Sequence, residues 1–365
     1  MNNPKETKNI ITRKSVNTIL KDLFNYEHIE FNNYQNNLNK KHNLYFRGES
    51  SYYEFRTPSL YLQKNLTTNG SEYYYRVLLN ELGRDDYQEN TSLVRLISEL
   101  QHYGAKTRML DITKNPLIAL YFAVEKDNDK PGYVYIYSDK LNEKFDTGHT
   151  IAIKSALNFM PQNIINNFFT AIENLIRNNK NNYHCKDIEL ITVDNIKNIE
   201  LSTRYEYRNS SFVTQNYPEQ IREFMELLNQ RARVRERLNF PVKIYNDLQR
   251  AHIVIPSKTT DRIRQQQGAF IYPRFVNTFK KDHDNIKQEI SESIDKLSVT
   301  LFTPKKFKKE VALEDYTSFS VIKIDPANKE EIRRELELLG ITEGFVYPDI
   351  EHQSKALLNI LNNDN

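Results

Sequence analysis

Arg47, Gln101, His102, Arg108 and Asp111 are the residues of this 365-residue chain whose types and spacing could do chemistry. Four of them fall in one stretch, LQHYGAKTRMLD, that ends at Asp111. A histidine can give or take a proton near neutral pH. A carboxylate can do so once its surroundings raise its pKa. A guanidinium offers a planar fork of donors that matches a phosphate bidentately. His102 and Asp111 are therefore the candidates for catalysis, and Arg47 and Arg108 for holding an anion. Gly48, next to Arg47, would let backbone approach a ligand closely. Tyr103 adds an aromatic face and Thr107 a hydroxyl, and Gln267 in RIRQQQGAF adds an amide able to bond a base. Each residue also has a purely structural reading. Arg108 and Asp111 could form a buried ion pair that fixes a loop. His102 could bond a backbone carbonyl, and the glutamines could end a polar helix.

The elements that must position these residues are legible in part. TSLVRLISELQHYG has Leu93, Leu96, Ile97 and Leu100 on one helical face, Thr91 as a plausible N-cap and Gly104 placed to end the helix in the left-handed conformation. NPLIALYFAVE begins with Asn115 as N-cap and Pro116 at the first helical position, and its apolar residues run round all sides, so this helix should be buried. YFRG, GYVYIYS, AHIVIPS, the segment after QQQG and SFSVIKIDP read as strands. The mix lacks regular βαβ alternation, which predicts an α+β fold: a mixed or antiparallel sheet core with packed helices. The expected organisation is one main domain over 41–355, with an N-terminal helical extension over 1–40 and a helical insertion around 156–250.

Composition narrows the function classes. Fifty-one Lys and Arg stand against 48 Asp and Glu, a formal charge of +3, so nothing in the total demands a nucleic-acid partner. A local basic helix over 229–238, within NQRARVRERLNF, is the segment through which nucleic acid could bind. One cysteine, Cys185 beside His184, permits no intrachain disulfide and fits a reducing compartment. That pair is too small for a zinc site, so no metal is expected. No signal peptide or membrane-length apolar run is present in the sequence, which leads to a cytoplasmic expectation with no membrane partner. No GxSxG, P-loop or GxGxxG motif occurs, which argues against serine-hydrolase, ATPase and Rossmann chemistry.

Taken in order, YFRGES, LQHYGAKTRMLDITKNPLIALYFA, RIRQQQGAFIYP and GFVYPDI resemble the FRG domain family, whose name is the motif at Phe46, Arg47 and Gly48. The resemblance runs over about residues 44–355. Two positions depart from the family pattern: Ile112 where tryptophan is usual, and Tyr347 in the closing Phe-Pro-Asp motif. Both keep an apolar or aromatic side chain. The resemblance implies a bacterial or phage protein with a role in defence or toxin biology, and it implies that the recurring polar residues of separate motifs line one cleft. The expected partner is a small-molecule nucleotide or dinucleotide, with NAD as the candidate cofactor. Analogy of architecture suggests an ADP-ribosyltransferase-like or other nucleotide-processing enzyme, with Arg47 on phosphate, Tyr103 on nicotinamide and Asp111 or Glu49 as the activating carboxylate. No E-x-E doublet stands beside the QQG strand, which counts against close kinship. The alternatives are a non-catalytic nucleotide-sensing or protein-binding module, and a metal-independent nuclease with His102 as general base.

Overall fold

A computed structural model describes residues 9–25, 43–83, 92–140, 142–179, 188–196, 217–304, 316–350, 352–354 and 358. Cys185 and His184, the N-cap candidate Thr91 and most of the 1–40 segment lie outside them. The strands are β1 (Ile10–Thr12), β2 (Tyr45–Glu49), β3 (Leu110–Thr113), β4 (Gly132–Tyr137), β5 (Lys144–Phe145), β6 (His252–Ile255), β7 (Gly268–Tyr272), β8 (Leu301–Pro304), β9 (Tyr316–Phe319) and β10 (Val321–Ile324). Eight of them form one mixed sheet in the order β1-β10-β4-β2-β3-β7-β6-β5, and β8 and β9 form a separate ribbon. Only β1 with β10 and β5 with β6 run parallel. The fold is α+β.

Helices cover both faces of the sheet. The first part of the chain supplies α1 (Val16–Phe24), α2 (Lys64–Asn69), α3 (Glu72–Glu81), α4 (Leu93–His102), α5 (Pro116–Val124), α6 (His149–Ala156) and α7 (Gln162–Asn179). On one face α5 packs with Phe46, Val134, Ile136 and Ile322. On the other, helix His283–Asp295 packs Ile286, Ile290 and Ile294 against Tyr45, Tyr135, Tyr137 and Ile271. The side chains alternate because a strand turns successive residues to opposite faces. A third cluster joins α3, α4, α6, α7 and helix Tyr217–Arg231 around Phe159, Phe168 and Phe224. Described residues of the 156–250 segment, among them Phe159, Phe168 and Phe224, belong to this cluster.

The central helix α5 is built as its sequence suggests. Asn115 Oδ1 accepts from Leu117 N at 3.0 Å, Pro116 opens the helix, and Ile118, Ala119, Leu120, Ala123 and Val124 are fully buried. It lies unusually close to the sheet. A Cβ on Gly48 would fall 1.8 Å from the Ala119 carbonyl oxygen, and one on Gly132 would fall 2.1 Å from that of Ala123. The two glycines sit on neighbouring strands under residues one helical turn apart. The missing side chain of Gly48 lets the helix approach this closely, and Gly48 also lines a cavity beside β2.

Two segments differ from their sequence readings. The N-terminal residues carry helix α1 as expected, but β1 precedes it and pairs with β10, so this part is woven into the sheet. The basic 229–238 segment is helical only at its start: helix Tyr217–Arg231 stops within it, and Arg233 takes a left-handed φ of 52°. The Asn229 side chain closes the turn by donating to the Met225 and Leu238 carbonyls and accepting from Leu238 N at 2.8 Å. Side-chain amides of this kind compete with helix continuation.

Candidate functional site

β2 pairs with β4 from Tyr45 to Glu49, but with β3 only at Phe46↔Thr113. Beyond that pair the sheet opens, and a cavity of about 370 Å³ fills the gap. Its walls come from β2, the end of α4, β3, the end of α5, helix Asp261–Gln265, β7 and Tyr347. Arg47 bridges the opening. Its Nε donates to Glu49 Oε1 at 2.8 Å and its Nη1 to the Asp111 carbonyl oxygen at 2.9 Å. Loss of hydration is the largest influence on the guanidinium and lowers its pKa, but the charge and hydrogen bond of Glu49, with Asp111 and Tyr137, together raise it above its usual value.

Glu49 is the least expected member of the site. It is 4% exposed, lines the cavity, and its Oε2 finds no hydrogen-bond partner. Clamping one oxygen by Arg47 while leaving the other free fixes the direction in which the carboxylate can act.

Helix α4 delivers Gln101 and His102. It ends in a Schellman motif: Ala105 N donates to Leu100 O, Gly104 N donates to Gln101 O, and Gly104 has φ +91°. Thr107 donates its hydroxyl to Gln101 Oε1, which turns the amide so that Nε2 donates to Asp111 Oδ1 at 2.7 Å. Asp111 projects from β3 opposite the buried Leu110 and Ile112. Asp111 is exposed; desolvation by the surrounding protein raises its carboxyl pKa, against the pull of Arg47, Arg262 and the Gln101 bond.

His102 accepts from Arg262 Nη1 through Nδ1 at 3.3 Å. Partial burial first, and then the adjacent guanidinium, lower its pKa, so it is neutral. With Nδ1 accepting, Nε2 carries the proton and is a donor. Arg262 has no carboxylate within ion-pair distance among the described residues, and its guanidinium lies 5.1 Å from the centre of the Tyr347 ring. Tyr347 donates its hydroxyl to Glu125 Oε1 at 2.9 Å and stands edge-on to Phe122. Gln266 joins β3 to this wall: its carbonyl accepts from Thr113 Oγ1 at 2.6 Å, and its Nε2 donates to Val346 O at 2.9 Å.

The structure thus brings Arg47, Gly48, Gln101, His102 and Asp111 to one cavity. It does not bring the other four candidates there. Tyr103 is 77% exposed, its ring tilted at 53° beside His102. Thr107 is fully buried, and its hydroxyl donates to Gln101 and accepts from Met109 N. Arg108 is 4% exposed and points to Tyr61 and Phe275, so it forms no ion pair with Asp111. Gln267 spends a left-handed φ of 47° on the turn into β7, and its neighbour Gln266 lines the wall instead. Asp349 of the closing motif bonds His352 and caps a turn. Glu49, Glu125, Arg262, Gln266 and Tyr347 complete the site. Arg262 and Gln266 are one helical turn apart in RIRQQQG, the only local pattern that could have shown them together.

Among the described residues no group of three His, Cys, Asp or Glu is placed to hold a metal ion, and no helix is long and apolar enough to cross a membrane. Residues 42–131 match the FRG domain family model, and that segment is an FRG domain. It supplies Arg47, Glu49, Gln101, His102, Asp111 and Glu125; Arg262, Gln266 and Tyr347 come from beyond it. Neither the search of curated proteins nor the search of solved structures found a match.

Proposed function

We propose that the cavity between β2 and β3 binds a phosphate-bearing nucleotide, with NAD as the leading candidate, and breaks its glycosidic bond. The observation that carries this reading is the presence in one cavity of Arg262, a guanidinium without an ion-pair partner among the described residues, and Glu49, a clamped carboxylate with one free oxygen. Arg262 holds phosphate through its fork. Phe122, in the cavity lining, offers an aromatic surface to a flat ring. A volume of about 370 Å³ lies within the roughly 300–1,000 Å³ of small-ligand sites.

In the reaction the bond between ribose C1′ and the nicotinamide nitrogen breaks, and nicotinamide leaves with the bonding pair. Positive charge develops on the ribose facing Glu49, which lowers the barrier electrostatically. Water or another O–H or N–H acceptor bonds to C1′ and loses its proton to Asp111, whose raised pKa brings it nearer the range useful to a general base. Neutral His102 donates from Nε2.

A non-catalytic nucleotide-sensing or protein-binding pocket is the second reading. It draws on one observation: Arg47 spends donors inside the protein on Glu49 and Asp111. Equilibrium dialysis of the full chain with adenylate-labelled NAD tests the proposal, with products followed by chromatography. Saturable binding with label appearing in ADP-ribose or on an acceptor is expected. Arg262→Ala should weaken binding at least about tenfold, the loss of one charge-assisted contact. Saturable binding with no product selects the sensing reading, and absence of binding overturns the proposal and leaves the protein-binding pocket.

A further inference from the structure

The segment that leaves helix Tyr217–Arg231 holds a concentrated positive charge. Residues 229–243 carry Arg231, Arg233, Arg235, Arg237 and Lys243 against one acid, Glu236, a net +4 within a protein whose whole charge is +3. That acid is occupied elsewhere: Glu236 Oε2 lies 2.9 Å from Nε2 of His149, at the start of α6. Arg235, Arg237 and Lys243 are exposed, and none of them has a carboxylate within ion-pair distance among the described residues.

The loop that presents these cations is tied down from within. The Asn229 side chain bonds Leu238 through both its oxygen and its nitrogen and so joins the two ends of the loop. The Asn239 carbonyl accepts from Val193 N at 3.2 Å. Ala232, Val234 and Leu238 pack on the helical core cluster, between the arginines in sequence. Apolar residues therefore hold the backbone to the protein, and Arg235 and Arg237 are left to solvent. Phe240 follows three residues after Arg237 and is 40% exposed, at the N-cap of helix Pro241–Leu248. Lys243 lies in the first turn of that helix, where a cation opposes the helix dipole. Helix stability does not account for a lysine there, and its charge adds to the partial positive charge of the helix start.

We propose that this loop is a surface for single-stranded nucleic acid, with phosphates on Arg235, Arg237 and Lys243 and a base stacked on Phe240. Arginine and lysine side chains both hold phosphate oxygens. An exposed aromatic ring beside them takes the face of any base, so binding of this kind tolerates sequence. A duplex keeps its bases stacked inside and offers Phe240 no free face. The inference does not draw on the nucleotide reading of the cavity.

The test is fluorescence anisotropy of the full-length protein with labelled oligouridylate and oligothymidylate of about twelve nucleotides, between about 50 and 200 mM KCl. Saturable binding is expected, tighter than that of a duplex of the same length. Three phosphate contacts predict a slope of about −2 in log K against log salt. Arg235→Gln with Arg237→Gln should weaken binding at least about tenfold and flatten the slope to about −0.7. Phe240→Ala should weaken it at least about fivefold and leave the slope unchanged. Lys14→Gln with Lys296→Gln removes the same charge at two exposed positions outside the loop and should change the affinity less than about twofold. The three arginine and phenylalanine positions are exposed, and an unchanged Tm confirms that their variants fold. Absence of saturable binding at the lowest salt, a duplex that binds as tightly as the single strand, or equal losses in the loop variant and the Lys14 and Lys296 variant would each overturn the proposal. NAD enters none of these readouts, so failure here leaves the cavity reading untouched.

Discussion

His102 and His252 both resist protonation, and in each burial is the first cause. For His102 the second cause is Arg262, for His252 it is Lys154. His252 is the stronger case, with a pKa lowered to about 3. An unfolded histidine titrates near 6.5. As pH falls below that value the unfolded chain takes up a proton that the folded chain refuses. The stability due to neutral His252 is therefore whole above pH 6.5 and is lost as pH falls toward 3. One proton corresponds to about 1.4 kcal/mol per pH unit. His252→Gln should flatten the decline of urea-unfolding stability between pH 6 and 4 by that slope; an unchanged slope would place the acid sensitivity elsewhere. At this scale the sequence was a partial guide. Arg47, Gln101, His102 and Asp111 reach one cavity. Arg108 does not, although it stands three residues before Asp111, because it turns into the interior while Asp111 leaves β3 on the open side. Glu49 was legible as one of two candidate carboxylates, but its clamping by Arg47 was not, since nothing local shows that contact.

Between elements, the contact of α5 with the sheet is the tightest constraint. Gly48→Ala places a methyl group 1.8 Å from the Ala119 carbonyl, and backbone on both sides cannot yield cheaply. We expect a loss of more than about 3 kcal/mol in chemical unfolding, at the upper end of overpacking costs. A stability within 1 kcal/mol of wild type would mean that α5 can lift from β2. Lys329 closes the same region from the C-terminal half. Its fully buried Nζ donates to Ser50 O, Lys126 O and Asp127 O at 2.7, 2.8 and 2.9 Å. It joins the chain just after Glu49 to the end of α5, two walls of the cavity. Lys329→Met orphans three carbonyls at about 1–3 kcal/mol each, so it should lower stability by about 3 kcal/mol or more, measured by urea denaturation. Helix ends were legible where a single residue decides them, at Asn115, Pro116 and Gly104. The 229–238 segment is helical only to Arg231, and periodicity and charge say nothing of the Asn229 side chain that ends the helix.

For the whole molecule, the FRG domain match over 42–131 is a segment and not a folding unit. Its β2 and β3 border the cavity, but β3 needs β7 from 268–272 on its other side. The strand after the segment, β4, needs β10. A fragment of 42–131 should show no cooperative thermal transition and no dispersed amide spectrum; a folded fragment would refute this dependence. The α+β class was legible because strands and helices carry different periods. The sheet order was not, because the pairing of β1 with β10 joins residues some three hundred positions apart and leaves no local mark.

The central claim is that Glu49 and Arg262 work on one ligand in the split between β2 and β3. Nicotinamide release from NAD by the full-length protein, with cell lysate added as a source of acceptors, measures it most directly when wild type, Glu49→Gln and Arg262→Ala are compared. We expect release by wild type, a fall of at least about a hundredfold in Glu49→Gln from lost charge stabilisation, and a higher KM in Arg262→Ala. Release that persists undiminished in Glu49→Gln, or NAD left intact by wild type under every condition, would contradict it.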